Sequence, residues 1–183
     1  MSENNKEQKA VQKILPDECI IFIGMAASGK STIGREFANL LGWPHVDTDY
    51  IIESVYAAPL QAIADSVDKE SFLDIEAGVL SRLNLKKVVI STGGSAVYRE
   101  YAMEHLKTIG KIIHIDVPLP IILERIARKP ERGLAINPGQ TIEDLYNERR
   151  ALYEKHSHYT VQGGEDSALN YAQKIVDLLQ IKS

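Results

Sequence analysis

The chain has 183 residues, 21 of them Lys or Arg against 25 Asp or Glu, giving a formal net charge of −4 and an isoelectric point near 5.8. A chain of this length suits one domain and can bury about 70% of the surface that its unfolded form exposes. The acidic balance argues against a nucleic-acid or membrane-surface partner, and the single cysteine, Cys19, excludes an internal disulfide.

Residues 1–18, MSENNKEQKAVQKILPDE, hold too few apolar side chains to bury and read as a loosely ordered lead-in, without the apolar core of a signal peptide. Residues 19–183 then form the domain. Cys19 to Ile23 is a continuous apolar run, the pattern of a parallel strand covered on both faces, and Cys19 reads as a small buried thiol within it. Directly after it comes GMAASGKS, Gly24 to Ser31, which fits G-x-x-x-x-G-K-[ST]. Glycines there let the chain fold tightly, so that backbone N–H groups and a helix N-terminus face phosphate oxygens. Lys30 is placed to reach the β and γ phosphates and Ser31 to ligate Mg²⁺.

Ile33, Phe37, Leu40 and Leu41 follow at helical spacing, and Gly42 with Pro44 ends the helix. After the short extended piece Pro44 to Val46, the DTD of Asp47 to Asp49 falls at the carboxyl edge of a strand, where two carboxylates suit Mg²⁺ and a substrate hydroxyl; capping of the next helix is the competing role. Phe72, Ile75, Val79, Leu80 and Leu83 form a second helical stripe that carries Glu76 inward. Lys87 to Ile90 reads as another buried strand, followed by Thr92-Gly93-Gly94-Ser95, whose bare backbone sits at the same edge.

Lys111 to Ile115 is a third such strand. Arg128 to Thr141 then carries Pro130, Gly133, Pro138 and Gly139, so many breakers that it reads as an irregular loop or lid. Thr141 opens a helix with Asp144 as a capping-box partner, and its apolar side, Ile142, Leu145, Tyr146, Leu152 and Tyr153, includes Arg149. Buried charges need partners, so Glu76 and Arg149 either pair with each other or line a polar pocket in which Arg149 clamps an anion. Leu169, Ala172, Ile175, Val176 and Leu179 give a last amphipathic helix. Strands alternating with helices make this an α/β protein: a three-layer sandwich with a central parallel sheet and helices on both faces. The five histidines show no zinc-binding spacing and carry no assigned role, while Trp43 and the three phenylalanines read as core.

Taken together, GMAASGKS, DTD seventeen residues after Lys30, FLDIE, TGGS, the arginine-bearing loop and ERRALY resemble the shikimate kinase family of the nucleoside-monophosphate-kinase-like P-loop group, from about Ile20 to Leu179. The resemblance implies a P-loop NTPase fold with a lid over about 128–141, and transfer of phosphate from ATP to a ring hydroxyl of shikimate. It implies ATP contacts from Gly24, Ala26, Ala27, Ser28, Gly29, Lys30, Ser31 and Thr32, with Arg125 stacking on adenine. Mg²⁺ would be held by Ser31 and, through water, by Asp47. Asp49 matches the acid that receives the substrate hydroxyl, Arg132 the lid arginine at the transferring phosphate, and Arg149 a carboxylate-binding arginine. Gly93 and Gly94 match the substrate loop, and Glu76 its supporting acid.

Two positions depart from the family pattern. F-R-x-x-E is here Phe72-Leu73-Asp74-Ile75-Glu76, and the third glycine of the G-G-G loop is Ser95. A lost charge-assisted contact to a carboxylate costs about 1.5 to 3 kcal/mol, with Arg99, Lys69 and Arg82 as candidate replacements. Shikimate is the first candidate acceptor, and another small hydroxy acid or a polyol fitted to Leu73 is the second. A nucleotide-binding regulatory module without an acceptor site is the rival outside the enzymes. A cytoplasmic, monomeric protein with small-molecule partners is expected.

Overall fold

The computed structural model describes residues 17–128, 136–137 and 139–181. The lead-in before Asp17 and the greater part of the expected lid, Arg132 included, lie outside the described residues. Five strands form one parallel sheet: β1 Cys19–Ile23, β2 His45–Asp47, β3 Val89–Ser91, β4 Gly110–Asp116 and β5 Tyr159–Gln162. Their order across the sheet is β2-β3-β1-β4-β5. Helix α1, Lys30–Leu41, links β1 to β2, and α2 Thr48–Tyr56, α3 Leu60–Ser66 and α4 Lys69–Leu80 lead back to β3. A single 3-10 turn, Ala96–Tyr98, and α5, Glu100–Ile109, then cross to β4; α6 Leu119–Arg128, α7 Ile142–His156 and α8 Ala168–Leu178 complete the order.

The connections run away from β1 on one side before β3 and on the other side after it. Right-handed crossovers therefore put α1 and α5 on opposite faces, and the carboxyl end of β1 lies where the winding reverses. All five residues of β1 are fully buried, as expected for a strand covered on both faces. Phe22 and Phe37 meet edge to face, with ring centroids 5.7 Å apart, and truncating Phe37 in that setting costs about 3 to 5 kcal/mol. A smaller apolar cluster of Ile52, Ile63 and Phe72 joins α2, α3 and α4.

Most expected elements appear near their expected bounds, with a few shifts. The strand read at Lys87 to Ile90 forms at Val89–Ser91, because Lys87 takes a left-handed φ of 54° and turns the chain into it. Leu40 and Leu169 are exposed at 39% and 50%, at the edges of their stripes, and Leu83 lies past the end of α4 yet is buried. Trp43 packs against the core only in part. Gly42 closes α1 in a left-handed conformation, and the Thr141–Asp144 capping box opens α7.

Register sets the height of the site. Ser91 lies beside Asp47 on one flank and Phe22 on the other, so the chain leaves β1, β2 and β3 at one level. Thr92 donates both its N–H and its hydroxyl to the Phe22 carbonyl, at 3.1 and 3.0 Å, and the Ser91 hydroxyl donates to the Lys30 carbonyl at 3.1 Å. These bonds tie the three loops together.

Candidate active site

Leaving β1, the backbone turns at Gly24, whose φ of 147° and lack of a side chain are both required: a Cβ there would stand 2.7 Å from the Ile115 carbonyl oxygen. Ala27 and Gly29 also take positive φ, 64° and 96°, and wind the loop into α1. Gly29 offers no side-chain cap, and no acid occupies the first turn, so the positive end of α1 is left for an external anion. Lys30 is 6% exposed and folds its ammonium into the loop, donating to the carbonyls of Gly24 at 2.8 Å and Met25 at 2.9 Å. Burial lowers its pKa to about 8 against the opposing pull of Asp49 and Asp47. His114, buried beneath Gly24, is held neutral by burial, which lowers its pKa to about 4.

Asp47 ends β2 and also caps α2, its Oδ1 accepting from the Asp49 N–H at 3.1 Å. Its other oxygen accepts from the Ser31 hydroxyl at 2.5 Å. A hydroxyl and a carboxylate in contact beside a phosphate loop form an all-oxygen donor pair suited to a hard divalent cation such as Mg²⁺.

Gly93 lies between two acids. A Cβ there would be 2.1 Å from Glu76 Oε1 and 3.1 Å from Asp49 Oδ1, so only a glycine allows both carboxyl groups to approach the backbone. Glu76 is 2% exposed, and burial raises its pKa to about 7, with a hydrogen bond from Ser95 opposing and the charge of Asp49 adding. Its Oε2 is buried without a hydrogen-bond partner among the described residues.

Gly94 is enclosed in the same way: a Cβ would be 3.1 Å from the Ala26 nitrogen and 3.2 Å from Nη1 of Arg149, and the Tyr153 hydroxyl donates to its carbonyl at 2.5 Å. Arg149 is 1% exposed, donates from Nε to the Tyr98 hydroxyl at 3.2 Å and places its guanidinium carbon 5.2 Å from the Tyr98 ring centroid. Glu76 and Arg149 lie close enough for each to bias the other's charge.

On the other flank of the loop, Arg125 donates to the carbonyls of Ala27 at 3.2 Å, Ser28 at 3.4 Å and Gly164. It borders a cleft of about 350 Å³ lined also by Ser28, Gly29, Thr32, Gly164 and Tyr171. The structure thus gathers Asp47, Asp49, Glu76, Gly93, Gly94 and Arg149 on the β2–β3 side of the phosphate loop and Arg125 on its far side. Sequence reasoning missed Tyr98 and Tyr153, which bond to Arg149 and Gly94, and it missed the Gly163-Gly164 turn in the cleft. The only signal for the turn was its pair of glycines, and Tyr153 was hidden in an apolar stripe.

The model of the shikimate kinase family matches residues 26–180. A shikimate kinase of Acinetobacter baumannii (strain AYE) is 34% identical over 163 residues, covering 87% of this chain and 91% of that protein. The one from Helicobacter hepaticus is 36% identical over 166 residues, covering 88% and 96%. Among solved structures, the shikimate kinase of Acinetobacter baumannii in complex with shikimate superposes with a TM-score of 0.82 at 33% identity, over 89% of this chain and 93% of that one. A family model that matches most of the chain, with relatives above 30% identity over nearly their whole length, places the chain in the shikimate kinase family.

Proposed function

We propose that this chain transfers the terminal phosphoryl group of ATP to a hydroxyl of shikimate. The observation that carries the reading is the adjacency of Gly93 and Gly94. Asp49 stands at the first and Arg149 at the second, so one small hydroxy acid can present its hydroxyl to the carboxylate and its own carboxylate to the guanidinium. Family membership favours shikimate over a polyol or another hydroxy acid, and a kinase over a non-catalytic nucleotide-binding module.

In this reading the loop amides, the α1 N-terminus and Lys30 hold the phosphates and neutralise charge that develops on the transferring group. Asp49 orients the acceptor hydroxyl and takes its proton as that oxygen bonds to the γ-phosphorus, while the bond from phosphorus to the ADP oxygen breaks. Ser31 and Asp47 are the residues that would hold Mg²⁺, which when bound adds charge neutralisation on the phosphates. Arg125 borders the nucleotide cleft, as the adenine-side arginine of the family would, and Arg132 in the expected lid is assigned to the transferring phosphate on the family likeness alone. Among the described residues no helix is long and apolar enough to cross a membrane.

The test is ADP release by the full chain with shikimate, coupled to NADH oxidation, beside Asp49→Ala. Release that depends on shikimate and falls at least about a hundredfold in the variant, with ATP binding retained, is expected. Release no faster with shikimate than without it overturns the reading.

A further inference from the structure

Helix α4 carries Lys69, Leu73 and Glu76 at i, i+4 and i+7, on one face. Leu73 and Glu76 are 3% and 2% exposed, and Lys69, one turn farther out, is half-buried. The Lys69 ammonium lies 5.4 Å from the centroid of the Tyr98 ring, and the guanidinium carbon of Arg149 lies 5.2 Å from that same centroid. Two cations therefore share one aromatic ring at the Gly94 end of the site.

Glu148, which bears on both, is exposed and already engaged by the Tyr98 hydroxyl and by the Gln140 amide at 2.7 Å. Other basic residues of this region are committed elsewhere. Arg99 is clamped by Asp74 at 2.7 Å and Glu70 at 2.8 Å, and Arg82 lines a separate groove with Ile51, Val55 and Val79. Lys69 has no carboxylate within 4.0 Å among the described residues. A planar carboxylate is an anion that both an arginine fork and a point ammonium bind.

We propose that Lys69 is the second cation for the acceptor's carboxylate, acting with Arg149 across Tyr98, and so determines specificity for an anionic hydroxy acid. The inference rests on the functional reading above. It assigns the missing charge not to Leu73 but to the residue one helical turn before it.

The experiment is steady-state kinetics of Lys69→Met and Lys69→Arg in the full chain, with shikimate and with its analogue in which the carboxylate is reduced to a primary alcohol. Loss of one charge-assisted contact raises the KM for shikimate about ten- to a hundredfold in Lys69→Met, with the KM for ATP within about twofold, and Lys69→Arg recovers most of the loss. For the alcohol, wild type and Lys69→Met give the same KM. An unchanged KM for shikimate in Lys69→Met overturns the assignment. An equal rise for acid and alcohol also overturns it, since the side chain would then only shape the pocket. If the wild type turns over neither compound, the functional reading itself falls and takes this one with it; turnover of shikimate with an indifferent Lys69 defeats this assignment alone.

Discussion

Replacing Gly93 with alanine puts a methyl group where the structure leaves no room. Its carbon would be 2.1 Å from Glu76 Oε1 and 3.1 Å from Asp49 Oδ1, against about 3.4 Å for the start of ordinary contact. The Glu76 carboxyl must retreat by about 1.3 Å, and it is buried and hydrogen-bonded by Ser95, so the loop, the acid or both must move. A displacement of about 1 Å at a positioned reacting group can cost roughly a hundredfold in rate. Gly93→Ala should therefore lower kcat/KM for shikimate about a hundredfold, while affinity for ATP, measured by fluorescent-nucleotide displacement, changes less than about threefold. Gly78 in the same helix α4 is the control, because a Cβ there meets nothing within 4 Å. Gly78→Ala should keep full activity and gain about 0.5 to 1 kcal/mol, which for a chain of this size raises Tm by a few degrees. A Gly93→Ala enzyme with kcat/KM within threefold of wild type would refute the argument that backbone and acids must touch here.

Two pH effects follow from the buried charges. Between its ordinary value of 4.5 and about 7, Glu76 holds a proton in the folded state that the unfolded chain has released, so stability falls as pH rises across that window. Glu76→Gln removes up to about 3 kcal/mol of that pH dependence, which urea unfolding at pH 5 and pH 8 measures; parallel slopes in variant and wild type would count against a buried, protonated Glu76. The Lys30 ammonium, with its pKa lowered to about 8, is recharged when a triphosphate binds. Calorimetry of ATP binding in buffers of different ionisation heat should show uptake of about 0.7 proton at pH 8.5 and about 0.1 at pH 7. Equal uptake at the two pH values would place the Lys30 pKa elsewhere.

Local signals were the legible ones. The phosphate loop, the αL glycine closing α1, the capping box of α7 and the inward placement of Glu76 and Arg149 all follow from spacing over eight residues or so, the range in which helix periodicity and turn chemistry act. The strand limits of β3 slipped because an apolar run does not reveal that Lys87 takes positive φ. Tyr98 stayed hidden for a different reason, and Lys69 stood only as one of three candidate replacements beside Arg99 and Arg82. The meeting of Tyr98 and Lys69 with Arg149 depends on how the 3-10 turn, α4 and α7 pack, and no periodicity within one segment encodes a contact between three. The convergence of residues 24, 49 and 93 likewise comes from strand register, where Ser91 sits between Phe22 and Asp47.

Asp47 shows why weighing a structural role against a functional one can pose a false choice. The bond from the Asp49 N–H to Asp47 Oδ1 is a helix cap, and by itself such a cap is worth about 1 kcal/mol. That same bond fixes the backbone from which the Asp49 side chain departs toward Gly93, and the second oxygen of Asp47 holds the Ser31 hydroxyl at the phosphate loop. The cap is the device that sets the distance between the cation-suited pair and the acid proposed to receive the hydroxyl proton. An aspartate that served only to start α2 could be replaced there by serine or threonine at small cost, whereas one that spans both loops cannot, because the shorter side chains have a single oxygen to offer.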